Sequence, residues 1–318
     1  MEVGERRMKK TIELLAPAGS LEDIKLYMDA GATAVLIGSS PYGMRMPDDF
    51  ALDEIEDAVK VVHEREGKIY VSVTNFVDHE VLPALTQYIK QIAAYGVDGI
   101  QFGDPAVLKV VREVAPQLKL HWNAEMTSTN YLTANFWGKQ GATRVVLARE
   151  LNMEEITGMY PNLELEAEVQ VHGMTNIYHS KRRLVRSYMS HQGREFPEGE
   201  DTSKQRGLFL VEEERPGEQF PIYEDETGTH IMSSDDICIL EDLHILMAAG
   251  IPSFRIETML KPQSYNAVVI QAYRKAMDCY CNDSDNYEFD EAWLDEIRNV
   301  QDPHRELSFG FFYKEQVY

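Results

Sequence analysis

Short apolar stretches alternate along this chain with amphipathic stretches of helical period, and the joint between the two is repeated four times. Each joint has a Gly at the end of the amphipathic stretch and an apolar strand just after it, and the four copies cover residues 30–37, 95–102, 140–147 and 249–256. A Gly in this position ends a helix, so each joint is typical of a repeating βα unit. Further strands are predicted at Glu13–Leu15, Ile69–Thr74, Leu118–Trp122 and Leu163–Val171. Strands that alternate with helices in this way predict an α/β fold, a TIM-like (β/α)8 barrel.

The spacing of these units also predicts how the chain is divided. We expect an N-terminal tail at residues 1–10, the barrel at 11–281, and a C-terminal helix and tail at 282–318. About 75 residues separate His172 from Gly250, several times the length of an ordinary βα loop. We therefore predict a long insertion before the last strand, residues 174–250, with a hairpin near 218–232. A doubly wound open sheet is the alternative, but no Gly-x-Gly-x-x-Gly follows any strand.

The strand predicted at Leu163–Val171 leads into a cationic segment. From His172 to Arg194 there are five Lys or Arg residues and no Asp or Glu. Guanidinium groups bind carboxylates and phosphates through paired hydrogen bonds. The segment is therefore a candidate anion site, and an exposed basic helix face is the alternative. The substrate-binding candidates in it are Lys181, Arg182, Arg183 and Arg186.

Four further candidates lie on strands, whose carboxyl ends point at the active site of a barrel. His172 is the best acid–base candidate by residue type, with a structural role equally open. Glu168 is a second catalytic candidate, although a carboxylate inside a barrel needs a cation, and Arg149 or Arg255 could supply it in an interior ion-pair layer. Trp122 and Asn123 could stack on and hydrogen-bond to a cyclic ligand or a base.

Composition limits the compartment and the partners. The formal net charge of −22 repels nucleic acid over most of the surface, so RNA contact must be local or supplied by a partner. No apolar run approaches the ~18 residues of a membrane span, so we expect no membrane contact. Three Cys residues predict a cytoplasmic protein without a disulfide framework. No metal site is predicted, because no set of ligands has a known spacing.

Several passages in chain order resemble the signature of the U-32 peptidase family, the collagenase-like proteases. The longest match runs from Glu168-Val-Gln-Val-His172-Gly173 through Ser180-Lys-Arg182 to Leu184. The others are Leu14-Leu-Ala-Pro-Ala-Gly19, Phe102-Gly-Asp-Pro105, Phe220-Pro-Ile, Ser234-Asp-Asp-Ile-Cys238, Arg255-Ile-Glu257 and His304-Arg305. Within this family the chain is most similar to the cysteine-poor paralogue of the prephenate-dependent tRNA uridine hydroxylase group of Gram-positive bacteria.

The resemblance implies a TIM-like barrel and, for many members, a four-iron–four-sulfur cluster held by four cysteines. Members of the closest group make 5-hydroxyuridine at the tRNA wobble position with prephenate as the oxygen source. In this sequence the first two cluster positions fall on Asn176 and Arg183, the third falls near Gly207, and only Cys238 is retained. One thiolate cannot hold a four-iron cluster. We therefore expect no iron–sulfur cluster and no cofactor bound by this chain alone, with prephenate as a possible co-substrate.

Three hypotheses about function follow. The first is a cluster-free subunit or paralogue of the wobble-uridine hydroxylase, which forms a hetero-oligomer with a cysteine-complete paralogue and meets tRNA through that partner. The second is a collagenase-like peptidase, as the family name states, although the sequence offers neither an activated nucleophile nor a metal-binding set. The third is a non-catalytic scaffold for the paralogue. Whether the chain is an enzyme by itself is left open, and a share in tRNA hydroxylation is favoured over proteolysis.

Overall fold

The computed structural model describes residues 12–123, 128–194 and 201–314. Its strands are, in chain order, β1 (Glu13–Pro17), β2 (Ala34–Gly38), β3 (Lys68–Val73), β4 (Gly99–Phe102), β5 (Lys119–Asn123), β6 (Arg144–Val146), β7 (Glu166–Gly173), β8 (Asn176–Ser180), β9 (Leu208–Leu210), β10 (Phe220–Asp225), β11 (Gly228–Met232), β12 (Asp236–Cys238), β13 (Ser253–Ile256) and β14 (Leu307–Ser308).

The α-helices of the same ranges are α1 (Leu21–Asp29), α2 (Leu52–His63), α3 (Leu82–Tyr95), α4 (Pro105–Val114), α5 (Tyr131–Lys139), α6 (Met153–Met159), α7 (Leu184–His191), α8 (Leu243–Ala249), α9 (Gln263–Asn282) and α10 (Glu291–Arg298). None of these helices is both long enough and apolar enough to cross a membrane.

Eight parallel strands form a closed barrel. Strands β1 to β7 pair in chain order, and β13 pairs with both β7 and β1 to close the cylinder. The four repeated joints behave as predicted, because Gly31, Gly96, Gly141 and Gly250 all have φ between 91° and 113°, a region that favours glycine. The TIM-like (β/α)8 fold expected from the sequence is confirmed.

The two faces of the barrel strands have different environments. Their outward side chains, such as Leu14, Val35 and Val71, pack against the helices in one large apolar core. Inside the barrel, Leu15, Leu36 and Tyr70 belong to a small apolar cluster beside β1–β3. The interior is polar on the opposite side, where β4 to β7 and β13 contribute Gln101, His121, Asn123, Arg144, Glu168 and Arg255.

A second sheet lies in the segment between β7 and β13. It is antiparallel, with the strand order β8-β11-β10-β9, and its central hairpin joins Asp225 to Gly228. The chain then returns to the barrel through β12, which pairs antiparallel with the end of β7 and parallel with β14 from the C-terminal segment. The insertion and the C-terminal segment therefore both adjoin the end of β7.

Strand β7 extends two residues beyond the predicted end at Val171. The pairing with β13 shifts between Arg255 and Ile256, which pair with Gln170 and His172, so β7 has one extra residue here, as in a β-bulge. The strand ends at Gly173, whose φ is +96°. A Cβ at this position would lie 2.3 Å from the carbonyl oxygen of Glu257, so only glycine fits the turn.

Candidate functional site

A buried ion-pair layer fills the polar side of the barrel. The guanidinium of Arg144 contacts the carboxylate of Glu13, and it lies 3.1 Å from that of Glu166 and 3.5 Å from that of Glu168. Burial raises the pKa of Glu168, while the charges of Arg144 and Arg255 oppose that shift. Each buried charge has a counter-charge, as stability requires. The interior ion-pair layer expected from the sequence is present, and Glu168 is one of its members.

Above this layer the polar side chains continue to the carboxyl ends of the strands. Arg255 Nη2 lies 2.7 Å from Glu257 Oε2. The amide of Gln101 donates to Glu168 Oε1 at 3.4 Å and its oxygen accepts from Asn123 at 3.1 Å. Arg255 Nη1 also lies 3.9 Å from Glu168 Oε1, so Arg255 takes the role that the sequence suggested.

The mouth of the barrel contains a small cationic cavity of about 50 Å³. Arg45, Arg149 and Arg255 line it, together with Asn123, Gln170 and Glu257, whose carboxylate pairs with Arg255. Arg149 Nη1 donates to the carbonyl oxygen of Asn176 at 3.0 Å. Five methionines complete the walls: Met44, Met46, Met174, Met232 and Met259. Among the described lining residues the three guanidinium groups outnumber the one carboxylate, and such a site with polarizable apolar walls suits a carboxylate attached to an apolar body.

Strain in the backbone also marks this cavity. Arg45 has φ of +52°, a conformation that is uncommon for a residue with a side chain. The carbonyl groups of the neighbouring Met46 and Pro47 accept hydrogen bonds from Lys204 Nζ at 2.9 and 3.1 Å. The insertion thus holds the loop that carries Arg45 over the mouth.

His172 does not reach the mouth cavity. The shifted pairing places it level with Ile256, whose side chain belongs to the outer core. Its Nε2 atom is 2.9 Å from the hydroxyl of Tyr265, and its ring packs edge-on against Tyr273. Burial lowers the pKa of His172 to about 3, so the imidazole is neutral at physiological pH. The geometry does not show the acid–base role predicted for His172.

The two ligand-contact candidates on β5 are on opposite faces of that strand. Trp122 faces outward, where it stacks on Trp137 with ring centroids 3.8 Å apart and lies 5.2 Å from Phe102. It is therefore a core residue, and stacking on a ligand is not open to it. Asn123 faces inward and lines the mouth cavity. The alternation of side chains along a strand explains the separation.

The cationic segment contains the end of β7, then β8, a short turn and α7. Lys181 Nζ lies 3.7 Å from Asp78 Oδ2 and 5.1 Å from the centre of the Phe76 ring. Arg186 Nε lies 3.9 Å from the buried carboxylate of Glu224. Arg182 and Arg183 are exposed in the turn. The segment therefore presents Arg182 and Arg183 to solvent, while Lys181 contacts the loop after β3 and Arg186 contacts Glu224 within the insertion.

The cysteines do not fit the four-cysteine cluster that the family implies. The whole chain has three. The Cys238 thiol is buried 3.9 Å from the hydroxyl of Tyr273, and burial raises its pKa to about 11. Cys279 and Cys281 lie at the end of α9, remote in sequence from the cluster positions Asn176 and Arg183. No group of three His, Cys, Asp or Glu residues among those described is arranged to hold a metal ion.

Two features of the site were missed by the sequence reasoning. Arg144 stands in one of the four repeated joints, two residues after Ala142, and the inward alternation of β6 was the signal that could have found it. Arg45 lies in a loop of irregular sequence, and no local pattern marks it. Glu125, which follows Asn123 by two residues in the sequence, lies outside the described residues.

Comparisons with known proteins agree on one family. Residues 19–317 match Peptidase family U32. The chain is 45% identical over 312 residues to tRNA hydroxylation protein P2 of Bacillus subtilis (strain 168), an alignment that covers 98% of this chain and 100% of that protein. It is 32% identical to tRNA hydroxylation protein P1 of the same organism, with 99% and 75% covered. It is 29% identical to tRNA hydroxylation protein P of Escherichia coli (strain K12), with 94% and 74% covered.

Proposed function

Because this chain belongs to peptidase family U32, we propose that it is a cluster-free component of tRNA hydroxylation that acts with a cysteine-complete paralogue. The end-to-end similarity to a tRNA hydroxylation protein carries this proposal. Bacillus subtilis has two such relatives of the chain, P1 and P2, which supports a pair of paralogues. The product we assign to the pair is 5-hydroxyuridine at the tRNA wobble position.

We place the carboxylate of a co-substrate such as prephenate in the mouth cavity. Arg45 and Arg149 line that cavity beside Arg255, which pairs with Glu257, and guanidinium groups bind a carboxylate through two parallel hydrogen bonds. The cavity of about 50 Å³ has room for a carboxyl group rather than for a whole ring, since one water needs roughly 10–15 Å³ of such space. The remainder of the co-substrate would contact the methionine walls.

The exposed turn that carries Arg182 and Arg183 is where we place the contact with RNA phosphates. On a chain with a net charge of −22, a local cationic segment is the part that a polyanion can approach. Lys181 of this turn contacts Asp78 on the barrel side.

Peptidase activity has less support. A nucleophilic protease needs an activated Ser or Cys beside a base. The contact of His172 is with Tyr265, and the Cys238 thiol has a pKa raised to about 11 by burial. Neither group is arranged for acyl transfer.

The test is mass spectrometry of tRNA nucleosides from a strain that lacks the gene. We expect wobble 5-hydroxyuridine to fall and to be restored by the native chain, but not by Arg182→Ala/Arg183→Ala at equal expression. The matched control is Arg65→Ala/Arg298→Ala, which removes two exposed arginines from the helical outside of the barrel. Unchanged hydroxyuridine in the deletion strain would show that the proposed function is wrong. Full restoration by the turn variant would favour the scaffold hypothesis instead.

A further inference from the structure

Strand β9 forms one edge of the antiparallel sheet in the insertion, and its apolar side chains are exposed. In the strand order β8-β11-β10-β9, it pairs with β10 on its inner side. Phe209 and Leu210 of this strand are 49% and 41% exposed, and Val211 just after it is 58% exposed. Edge strands are usually protected by charged side chains or proline, because their unpaired backbone groups can join another strand. The strand sequence Leu-Phe-Leu contains neither.

The pairing of β9 with β10 shows which backbone groups point away from the sheet. Phe209 pairs with Pro221, and the leucines on either side of it pair with the neighbours of Pro221. In an antiparallel pair, opposite residues alternate between those that exchange hydrogen bonds and those that do not. Pro221 has no N–H, so the two leucines bond to β10 and Phe209 does not. On the same side of β10, the N–H of Glu224 donates to the carbonyl oxygen of Thr202 at 2.6 Å, as this alternation requires. The N–H and C=O of Phe209 therefore point to the outer edge of the sheet.

The charges on the two sides of Phe209 are opposite in sign. Lys204 and Arg206 precede the strand, and residues 212–214, which follow it, are three glutamates. Arg206 and the three glutamates are exposed. An antiparallel copy of this strand, centred on Phe209, would bring its acidic end beside the basic end of the first copy. Opposite charges across a strand pair are stabilising, so this edge is complementary to itself.

We propose that β9 pairs antiparallel with β9 of a second copy of this chain, about a two-fold axis at Phe209. The outward N–H and C=O of each Phe209 would exchange two hydrogen bonds with those of its counterpart. The same residues meet on both sides of such a contact, and the two insertion sheets become one continuous sheet. The formal charge of −22 on each copy opposes association, so two copies need a locally complementary surface such as this edge. The inference goes beyond the proposed function and does not depend on it.

The pairing would also cover apolar surface beside the strand. A cavity of about 840 Å³ lies where the insertion meets α9 and the C-terminal segment. Phe209 lines it together with Leu260, Pro262 and Val300. Side chains at opposite positions of an antiparallel pair lie on the same face of the sheet. Phe209 of the second copy would therefore add to the apolar wall that Phe209 of the first copy forms.

Analytical ultracentrifugation of the purified full chain tests whether the second copy binds. A contact through one short edge strand is small, and small interfaces are weak, so we expect a reversible dimer at chain concentrations on the order of 100 µM. Dilution should return the chain to the monomer. A chain that stays monomeric at the higher concentration would overturn the proposal.

Two substitutions at one position separate the backbone contact from the side-chain contact. Phe209→Ala and Phe209→Pro both remove the ring, but only proline also removes the outward N–H. That N–H does not bond to β10, and edge strands tolerate proline, so both variants should fold, which circular dichroism would verify. We expect the dimer dissociation constant of Phe209→Pro to be about tenfold or more above that of Phe209→Ala, because each dimer loses two hydrogen bonds. Equal constants would show that the outer edge of β9 is not the contact.

An exchange of charges tests the antiparallel orientation. Arg206→Glu and Glu212→Arg should each weaken the dimer, because each substitution puts like charges opposite each other. An equimolar mixture of the two variants should form a heterodimer, in which both ends of the strand pair again have opposite charges. Glu212 also contacts Arg215 in its own copy, but such an exposed pair contributes little to stability. The control is Arg298→Glu on α10, which should leave the dimer unchanged. A mixture that stays monomeric, or an equal effect of Arg298→Glu, would overturn the proposal.

Discussion

Glu168 and His172 are two polar residues of one strand, but Glu168 faces the barrel interior and His172 faces the outer core. The sequence predicted the orientation of the first side chain but not of the second. The alternation of β7 correctly predicted an inward Glu168 that needs a cation, and Arg255 is one of its partners. His172 faces outward because of the shift in pairing with β13. A bulge depends on the partner strand as well as on the local sequence, so the position of His172 could not be read from the alternation.

Because His172 is buried, we expect the folded chain to lose stability as the pH falls. Burial lowers its pKa to about 3 in the folded chain, while an unfolded His has a pKa of about 6.5. The unfolded chain therefore binds the proton first, and stability is lost as pH falls from about 6.5 towards 3. We expect the free energy of unfolding of the wild type to fall by up to ~1.4 kcal/mol per pH unit from this group.

The substitution His172→Gln preserves a polar partner for Tyr265 and removes the titration. Urea unfolding between pH 7 and pH 4 should show a flatter pH dependence in this variant than in the wild type. The range stops at pH 4 because Asp236, whose pKa Arg305 and Lys261 hold at about 2 against the effect of burial, contributes below it. Parallel curves for the two proteins would contradict the assignment of a neutral buried His172.

At the scale of elements, the helices and strands of the repeated βα units could be predicted from the sequence, whereas most strands of the insertion could not. Each βα joint is marked by a Gly and an apolar run within eight residues. The pattern that predicts the joint is therefore local and can be recognised in the sequence. The sheet of the insertion joins β8 to β11, whose paired residues Ser180 and Thr229 are far apart in the chain. Only the hairpin of this sheet is marked by a local turn sequence. Pairing between distant strands has no sequence period of its own, so the pairing of β8 with β11 could not be predicted.

Helix α7 shows how one buried side chain organises the insertion. Its first two backbone N–H groups donate to Thr229 Oγ1 and Glu224 Oε1, at 2.9 and 2.8 Å. Glu224 also accepts from Thr202 Oγ1 at 2.9 Å and lies 3.9 Å from Arg186 Nε. A carboxylate at a helix N-terminus is stabilised by the unpaired N–H groups there. Glu224 therefore connects α7, β10 and the segment near residue 202.

We expect Glu224→Gln to loosen this element without unfolding the barrel. Hydrogen bonds to a charged group are worth about 1.5–3 kcal/mol, so their weakening should speed hydrogen exchange in residues 184–191 by roughly tenfold. Mass-spectrometric exchange measurements would compare peptides from α7 with peptides from β1–β4. Glu226→Gln is the control, because Glu226 is exposed two residues away in the hairpin turn. Equal acceleration in the barrel peptides would mean that Glu224 supports the whole fold.

At the scale of the whole molecule, charge is unevenly distributed. The chain has 53 acidic and 31 basic residues, yet the 23 residues from His172 to Arg194 contain no acid. The exposed turn with Arg182 and Arg183 is thus a cationic segment on an anionic protein. The overall charge should oppose RNA binding by the isolated chain, and the turn should supply the attraction that is left.

The salt dependence of RNA binding measures that attraction directly. Each phosphate contact contributes about 0.7–0.9 to the slope of log K against log salt concentration, through counterion release. For the isolated chain and a tRNA anticodon hairpin, Arg182→Ala/Arg183→Ala should therefore lower the magnitude of the slope by about 1.5. Arg65→Ala/Arg298→Ala changes the net charge equally, so it separates a local contact from a general effect of charge. Equal slopes for the two double variants would mean that the turn does not contact phosphates, and the RNA contact would then belong to the paralogue.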